Sequence, residues 1–184
     1  MSTTLILILL ILTTIVVLFA CALATIIFSI LLYTKVPFVR TPKKVIAKIL
    51  KEIPINKKQT VYDLGCGDAS VLIAIEKETG AKTVGFEITP IAFYLGKFNI
   101  WRNKAKTTIL YKNFYKQNLA PADVVFCFLI DKVMFRVGNQ LRQQLRPGAR
   151  VISFGFHIPD WQPVKTIVAY PERKTSSKIY LYQI

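Results

Sequence analysis

Charge is missing from the first 34 residues, although the 184-residue chain carries 25 Lys and Arg and 10 Asp and Glu. Residues 5–33 are almost entirely Leu, Ile, Val, Phe and Ala. A secretory signal peptide starts with basic residues and has a shorter apolar core, so this pattern disfavours a cleaved signal. About 20 apolar residues are enough to cross a bilayer. We therefore predict a transmembrane anchor over residues 1–34 that contacts the lipid bilayer through residues 5–33.

Histidine and cysteine are scarce as well. His157 is the only histidine, and the three cysteines are Cys21, Cys66 and Cys127. Their spacing fits neither a metal site nor a disulfide framework, which disfavours a His-based triad and is typical of a reducing compartment. The sequence therefore predicts no bound metal.

Acidic residues are absent just after the apolar run, where Lys and Arg accumulate before the first acid, Glu52. Positive charge beside a transmembrane helix favours the cytoplasmic side. We expect the N-terminus outside and the following domain on the cytoplasmic face, or the matrix face in a mitochondrion. The same cations could also rest on anionic lipid, although the topology signal alone accounts for them.

The remaining chain divides into a basic linker with an amphipathic helix (residues 35–57) and a domain (residues 58–184). Thr41 and Pro42 are typical of an N-cap and a first helical residue. Beyond them, β-prone runs near 60–64, 83–87, 107–111, 124–128 and 150–154 alternate with helical patterns. Two late strands near 166–169 and 178–182 have no helix between them. This order predicts an α/β domain with a mostly parallel sheet and an antiparallel edge hairpin.

The segment 60–68, Thr-Val-Tyr-Asp-Leu-Gly-Cys-Gly-Asp, carries the clearest chemistry. It is typical of a strand and a glycine turn that leads into a helix. A dinucleotide pyrophosphate needs bare backbone N–H groups and no nearby carboxylate, whereas Asp63 precedes the glycines. S-adenosylmethionine (SAM) brings an ammonium and a sulfonium instead, so Asp63 favours SAM. Gly65 and Gly67 would let the backbone approach the ligand, and Cys66 is interpreted as a packing or backbone contact.

Further candidate cofactor residues follow the next strands. Glu87 stands at the end of the second strand, with Ile88 after it, where an acid reaches ribose hydroxyls in nucleotide-binding α/β folds. Asn113 could accept a hydrogen bond from adenine while Phe114 stacks on the ring, or the pair could be a polar turn with a buried aromatic. Asp68 could contact the amino-acid end of SAM or cap the following helix. Together these residues predict a Rossmann-like class I methyltransferase sheet behind an N-terminal transmembrane helix.

The sequence resembles the membrane-anchored seven-β-strand lysine methyltransferases of mitochondria and their prokaryotic relatives, which include the enzymes that modify the ATP synthase c subunit and the adenine nucleotide translocase. The resemblance covers roughly residues 35–165. The matching segments are Pro37-Phe38-Val39 with Thr41-Pro42, the loop 61–68, Gly85-Phe86-Glu87, residues 122–125, residues 145–153 and Asp160-Trp161-Gln162-Pro163. Departures are Arg40, where relatives often have proline, Ala69, where many loops have a third glycine, and Asn113, where relatives often have an acid.

The resemblance implies a SAM-dependent transfer of a methyl group to a lysine of a membrane protein, without metal, and it implies that Pro37-Phe38-Val39 lies near the cofactor. Four residues are candidates for a substrate channel: Phe38, Thr41, Phe128 and Trp161. For the last two, core packing is the alternative. No catalytic base is assigned. Two other functions stay open, a methyltransferase for a lipid, quinone or other small molecule and a non-catalytic domain with a decayed fold. Nucleic acid is not an expected partner, because no Asn-Pro-Pro-Tyr-type motif is present.

Overall fold

The computed structural model describes residues 3–33 and 39–184, which belong to two compact units divided after Pro37. The first unit contains helix α1 (Thr3–Tyr33). By length and composition, its segment Thr3–Ser29 is long and apolar enough to cross a membrane, the only such helix among the described residues. Four hydroxyl side chains within it, those of Thr13, Thr14, Thr25 and Ser29, donate to helix carbonyls at 2.8–2.9 Å. Such bonds remove the cost of exposing a hydroxyl to an apolar medium.

The second unit is a seven-stranded sheet flanked by helices. Its elements in chain order are α2 (Lys43–Glu52), β1 (Thr60–Leu64), α3 (Ser70–Thr79), β2 (Lys82–Glu87), α4 (Pro90–Asn103), β3 (Thr108–Tyr111), β4 (Val124–Cys127), α5 (Asp131–Gln144), β5 (Arg150–Phe154), β6 (Lys165–Val168) and β7 (Lys178–Gln183). The strand order is β3-β2-β1-β4-β5-β7-β6. β1 to β5 pair in parallel, and β7 is antiparallel to both β5 and β6. The predicted mixed sheet with an antiparallel hairpin is confirmed.

Successive side chains of a strand point to opposite faces of the sheet, so the central strands contribute to a core on each face. Phe126 and Ile152 cluster with the apolar sides of α2 and α3. Val125 and Val151 cluster with α5 on the other face. The strand order reverses between β1 and β4, and ligands of open α/β sheets bind at the carboxyl ends of strands at such a point.

Two predicted boundaries need correction. Thr41 is not the N-cap of α2, because Pro42 takes that position and the helix starts at Lys43. The carbonyl of Pro42 accepts the first helical bonds, from the amides of Val45 at 2.9 Å and Ile46 at 3.1 Å. β4 ends at Cys127, so Phe128 lies beyond the strand.

Candidate cofactor site

The loop after β1 turns its backbone amides toward β2. The amides of Gly65 and Cys66 donate to the carbonyl of Phe86 at 2.9 and 3.0 Å, and the amide of Gly67 donates to Glu87 Oε2 at 2.9 Å. A phosphate-binding loop keeps such N–H groups for its ligand. Here three of them already have protein acceptors, so the loop is unsuited to a pyrophosphate and presents carboxylates instead.

Every second residue of the loop, at positions 65, 67 and 69, has a left-handed backbone conformation. Gly65 and Gly67 have φ values of 79° and 54°, and Ala69 has φ 60° just before α3. For an L-residue this conformation costs roughly 1–2 kcal/mol. Many such loops have a third glycine at this position. Here Ala69 adopts the left-handed backbone conformation that a glycine would have.

Cys66 packs against β2. It is 7% exposed, and a Cβ on Gly85 would lie 2.6 Å from its Cβ, so the absence of a side chain on Gly85 makes room for it. Burial raises the pKa of the Cys66 thiol far above its usual range, and the nearby carboxylates of Asp63 and Glu87 add to the effect. A thiol held in the protonated form is a poor nucleophile, which agrees with a packing role.

Asp63 lies at the carboxyl end of β1 and is 2% exposed. Within residues 3–33 and 39–184, no group donates a hydrogen bond to its carboxyl. Burial, followed by repulsion from Glu87 and then Asp68, raises the pKa of the Asp63 carboxyl well above its ordinary value. A buried acid without donors, beside two further acids, is suited to a cationic ligand.

Glu87 lies at the carboxyl end of β2 and is tied to the backbone through both oxygens. Oε1 accepts from the amides of Ile88 and Thr89 at 2.8 and 2.7 Å, and Oε2 accepts from Gly67. A carboxylate has about four acceptor positions. Since three backbone amides already donate to Glu87, about one acceptor position is left for a ligand hydroxyl. Both ribose hydroxyls could bind the carboxylate only if one of these backbone hydrogen bonds opened or was shared.

Asp68 contacts the start of α3, although Ala69 is the N-cap residue of that helix, and it makes a second contact that the sequence did not indicate. Its Oδ1 accepts from the amide of Ser70 at 3.2 Å, at the start of α3. Its Oδ2 lies 2.8 Å from Arg40 Nε. The pair joins the loop to the segment before α2, and nothing in the local pattern around Arg40 predicts it.

Helix α4 also approaches the loop closely. Gly96 faces it, and a Cβ there would lie 3.1 Å from the Gly67 carbonyl oxygen. The Asn99 side chain donates to the Asp68 carbonyl at 3.0 Å. The loop is therefore held on two sides. Its amides donate to β2, and its Asp68 carbonyl accepts from Asn99 of α4.

The candidate adenine residues lie at the ends of β2 and β3. Ile88 is 53% exposed and available to cover a ligand. Asn113 Oδ1 accepts from the amide of Tyr115 at 3.0 Å, so its amide oxygen has one lone pair left for adenine. Phe114 is half-buried and lies against Tyr115, with ring centroids 4.3 Å apart.

Among the described residues, no contact joins the candidate channel residues Thr41, Phe128 and Trp161. Phe38 lies outside the described residues. Thr41, the residue that follows Arg40 in the chain, is buried. Phe128 is half-buried and packs on Phe154, with ring centroids 4.7 Å apart.

Trp161 packs as a core residue. It is 7% exposed, its ring meets Tyr182 edge-on at 5.6 Å, and a Cβ on Gly138 would lie 3.3 Å from its indole nitrogen. The Arg142 guanidinium covers the ring at 5.3 Å. These contacts with α5 and β7 match the core-packing alternative. Gly138 lies 23 positions before Trp161, so the local pattern does not indicate their contact.

Taken together, the strand order, the glycine loop with occupied amides and the carboxylates of Asp63 and Glu87 define a class I SAM-dependent methyltransferase. Residues 63–165 match the family described as the ANTKMT methyltransferase domain. The chain belongs to this family.

Individual relatives agree with this assignment. A "Protein-lysine N-methyltransferase" of Saccharolobus islandicus is 34% identical over 81% of this chain and 94% of its own length. An "Adenine nucleotide translocase lysine N-methyltransferase" of Mus musculus is 27% identical over 72% of this chain, which spans 58% of that protein. The crystal structure of an RNA methyltransferase from Salinibacter ruber with S-adenosyl-L-homocysteine has a TM-score of 0.74 and 26% identity, covering 79% of this chain and 94% of that one.

Proposed function

We propose that this protein is a membrane-anchored methyltransferase that transfers a methyl group from SAM to the side-chain amine of a lysine in a membrane protein. The observation that carries the lysine acceptor is the similarity to the archaeal protein-lysine N-methyltransferase, which extends over 94% of that protein. The murine relative, whose name specifies a membrane carrier, supports the choice of a membrane protein.

The buried acids at the sheet edge have separate roles in this proposal. Asp63 would hold the ammonium of SAM, since no group in the described part of the chain donates to its carboxyl. Glu87 would accept from the ribose, while Ile88 and Phe114 cover the adenine and Asn113 accepts from its amino group. When bound, SAM supplies a methyl group that is already activated by its sulfonium, so the chain itself has to bind, align and desolvate the amine.

The acceptor must arrive as a neutral amine, and a lysine has an ordinary pKa of about 10.4. The lysine therefore has to lose its proton before it attacks the methyl group, and no residue is assigned as the base. Phe128, after β4, would be an aromatic neighbour for the cationic product.

Helix α1 supports the membrane location by its length and composition. We infer that it spans the bilayer with the N-terminus outside and the domain on the cytoplasmic or matrix face, as the cations after it indicate. Confinement of enzyme and substrate to one membrane would raise their effective concentration.

Labelling with methyl-tritiated SAM tests the proposal. The full chain in vesicles is incubated with membranes from cells that lack the gene, and the protein, organic and RNA fractions are counted. Label on lysine in the protein fraction is expected. Label in the organic extract instead would show a lipid or quinone methyltransferase, and label in RNA would show an activity like that of the RNA methyltransferase from Salinibacter ruber. The variant Asp63→Asn serves as the unlabelled control, and absence of SAM binding by the folded wild type would overturn every enzymatic reading.

A further inference from the structure

The outward side of α4 is more apolar than its inward side. Tyr94 and Trp101 are 70% and 73% exposed. With them, the exposed large apolar residues of this helix are Ile91, Leu95 and Phe98. Their spacing of three and four residues places them on one side. We call these five residues the α4 face.

Steric constraints at the glycine loop limit the side chains at part of the inward side of α4. Ala92 and Gly96 are buried there, and Phe93 and Ile100 are partly buried against the core. A Cβ on Gly96 would lie 2.6 Å from the end of the Ile109 side chain and 3.1 Å from the Gly67 carbonyl oxygen. At Gly96 the sheet and the loop leave no space for a larger side chain, and the five residues of the α4 face lie on the solvent-exposed side of the helix. A soluble domain rarely keeps such a surface uncovered.

The chain segment that contains α4 carries charge of one sign. Between Glu87 and Asp123 the chain has no acid, and it carries six cations there, Lys97, Arg102, Lys104, Lys106, Lys112 and Lys116. Two of these lie beside the aromatic rings, with the Arg102 guanidinium 5.9 Å from the Phe98 ring and Lys97 Nζ 6.0 Å from the Phe93 ring. Exposed aromatic rings with interleaved cations are typical of helices that lie in a membrane interface.

We propose that the α4 face docks on the anionic lipid surface of the membrane, with Tyr94, Phe98 and Trp101 at headgroup depth. A second copy of the chain is a poor occupant, because pairing two such faces would bring their surrounding cations together. An anionic bilayer neutralises the same charges, at about 1 kcal/mol for each cation near the surface. The inference rests on the proposed membrane location, and it adds a contact that the anchor does not require.

The docking contact would lie directly behind the cofactor site. The inward side of α4 touches the Gly67 carbonyl, and Asn99 bonds to the Asp68 carbonyl. A membrane that positions α4 would thereby support the glycine loop and set the height of the site above the bilayer.

Tryptophan fluorescence can test the contact, because Trp101 is one of only two tryptophans and the other, Trp161, is buried. The full chain is reconstituted in vesicles of phosphatidylcholine with phosphatidylglycerol, in which the phosphatidylcholine carries bromine near the headgroup end of its acyl chains. The wild type is compared with Trp101→Phe, and the difference is the signal of Trp101. We expect this signal to be strongly quenched by bromine, more so than in vesicles without the anionic lipid, and protected from iodide.

A matched pair of variants separates docking from folding. In Tyr94→Gln/Phe98→Gln the Trp101 signal should lose its bromine quenching, whereas Val164→Gln, a change at a 61% exposed apolar residue elsewhere, should retain it. Circular dichroism checks that the variants are folded.

The outcomes distinguish this inference from the function proposed above. If the wild type floats with vesicles but Trp101 is quenched by iodide and not by bromine, docking is wrong while anchoring stands. Protection from both quenchers would show that protein covers the face, which also overturns the proposal. If the chain does not float with vesicles, anchoring and docking both fail, and the lysine acceptor is still judged by the labelling experiment.

Discussion

Arg40 Nε lies 2.8 Å from Asp68 Oδ2, so the residue two positions before the N-cap of α2 is joined to the glycine loop. The Asp68 side chain is 7% exposed, whereas that of Arg40 is 61% exposed. The pair therefore anchors the segment that leads into α2 against one wall of the cofactor site, and it does so through a partly solvated contact.

Removing this contact should weaken SAM binding slightly. Because the arginine is mostly exposed, solvent screens the pair and its contribution is expected to stay below about 1 kcal/mol. Arg40→Ala should thus raise the Kd for SAM by less than about five-fold, measured by calorimetry at low salt. The difference from wild type should shrink at high salt. Lys43→Ala, a change at an exposed lysine nearby, should have no effect, and an equal loss in both variants would contradict a specific role for Arg40.

Asp63→Asn should stabilise the protein and abolish its function. The folded-state pKa of this carboxyl is raised, so its charged form at neutral pH destabilises the fold without cofactor. We expect the variant to gain on the order of 1 kcal/mol in free energy of unfolding in urea at neutral pH, together with loss of SAM binding. The gain should disappear below the ordinary pKa of 3.8, where the wild-type acid is protonated in both states. Glu172→Gln, at an exposed position, should show neither change.

Binding of SAM should release protons. An ammonium placed beside Asp63 favours the carboxylate, so the raised pKa falls when the ligand binds. The affinity for SAM should decrease as the pH falls from above the raised pKa of Asp63 toward its ordinary value of 3.8. In this range a proton on the Asp63 carboxyl competes with the ammonium of SAM. Calorimetry in two buffers of different ionisation enthalpy measures the released protons. A heat that does not depend on the buffer anywhere in this range would contradict the role of Asp63.

Glu87→Gln should disorder the glycine loop. Three backbone amides donate to the carboxylate, but a glutamine has one acceptor oxygen and an NH2 group that would face at least one of those amides. An unsatisfied buried amide costs about 2 kcal/mol. Because SAM has to restore the ordered loop when it binds, this cost raises the Kd for SAM roughly 30-fold. Glu78→Gln at an exposed position of α3 is the matched control. Faster hydrogen exchange of the Gly67 amide in the Glu87 variant would locate the effect at the loop.

The sequence predicts what depends on local pattern. Strand residues, glycine turns and the acids at strand ends follow from short-range chemistry, so β1, β2 and the places of Asp63 and Glu87 could be predicted from 60–68 and 83–87. The reversal of strand direction at β7 was predictable because no helix separates the last two strands.

Contacts between distant segments could not be predicted in this way. The pairing of Arg40 with Asp68 depends on where the chain before α2 crosses the loop. The burial of Trp161 depends on the missing side chain of Gly138. The orientation of α4 is the clearest case, because periodicity would turn most of its larger apolar residues inward, whereas the close approach of the helix to the Gly67 carbonyl requires Gly96 on that side.

The position of β7 between β5 and β6 has a consequence for biosynthesis. A growing chain produces β6 before the strand that joins it to the sheet, so β6 has no partner until Lys178 and the residues after it leave the ribosome. During that interval the edge of β5 is open to other strands, which is a route to aggregation. A frameshift or premature stop before β7 would therefore remove two strand pairings at once.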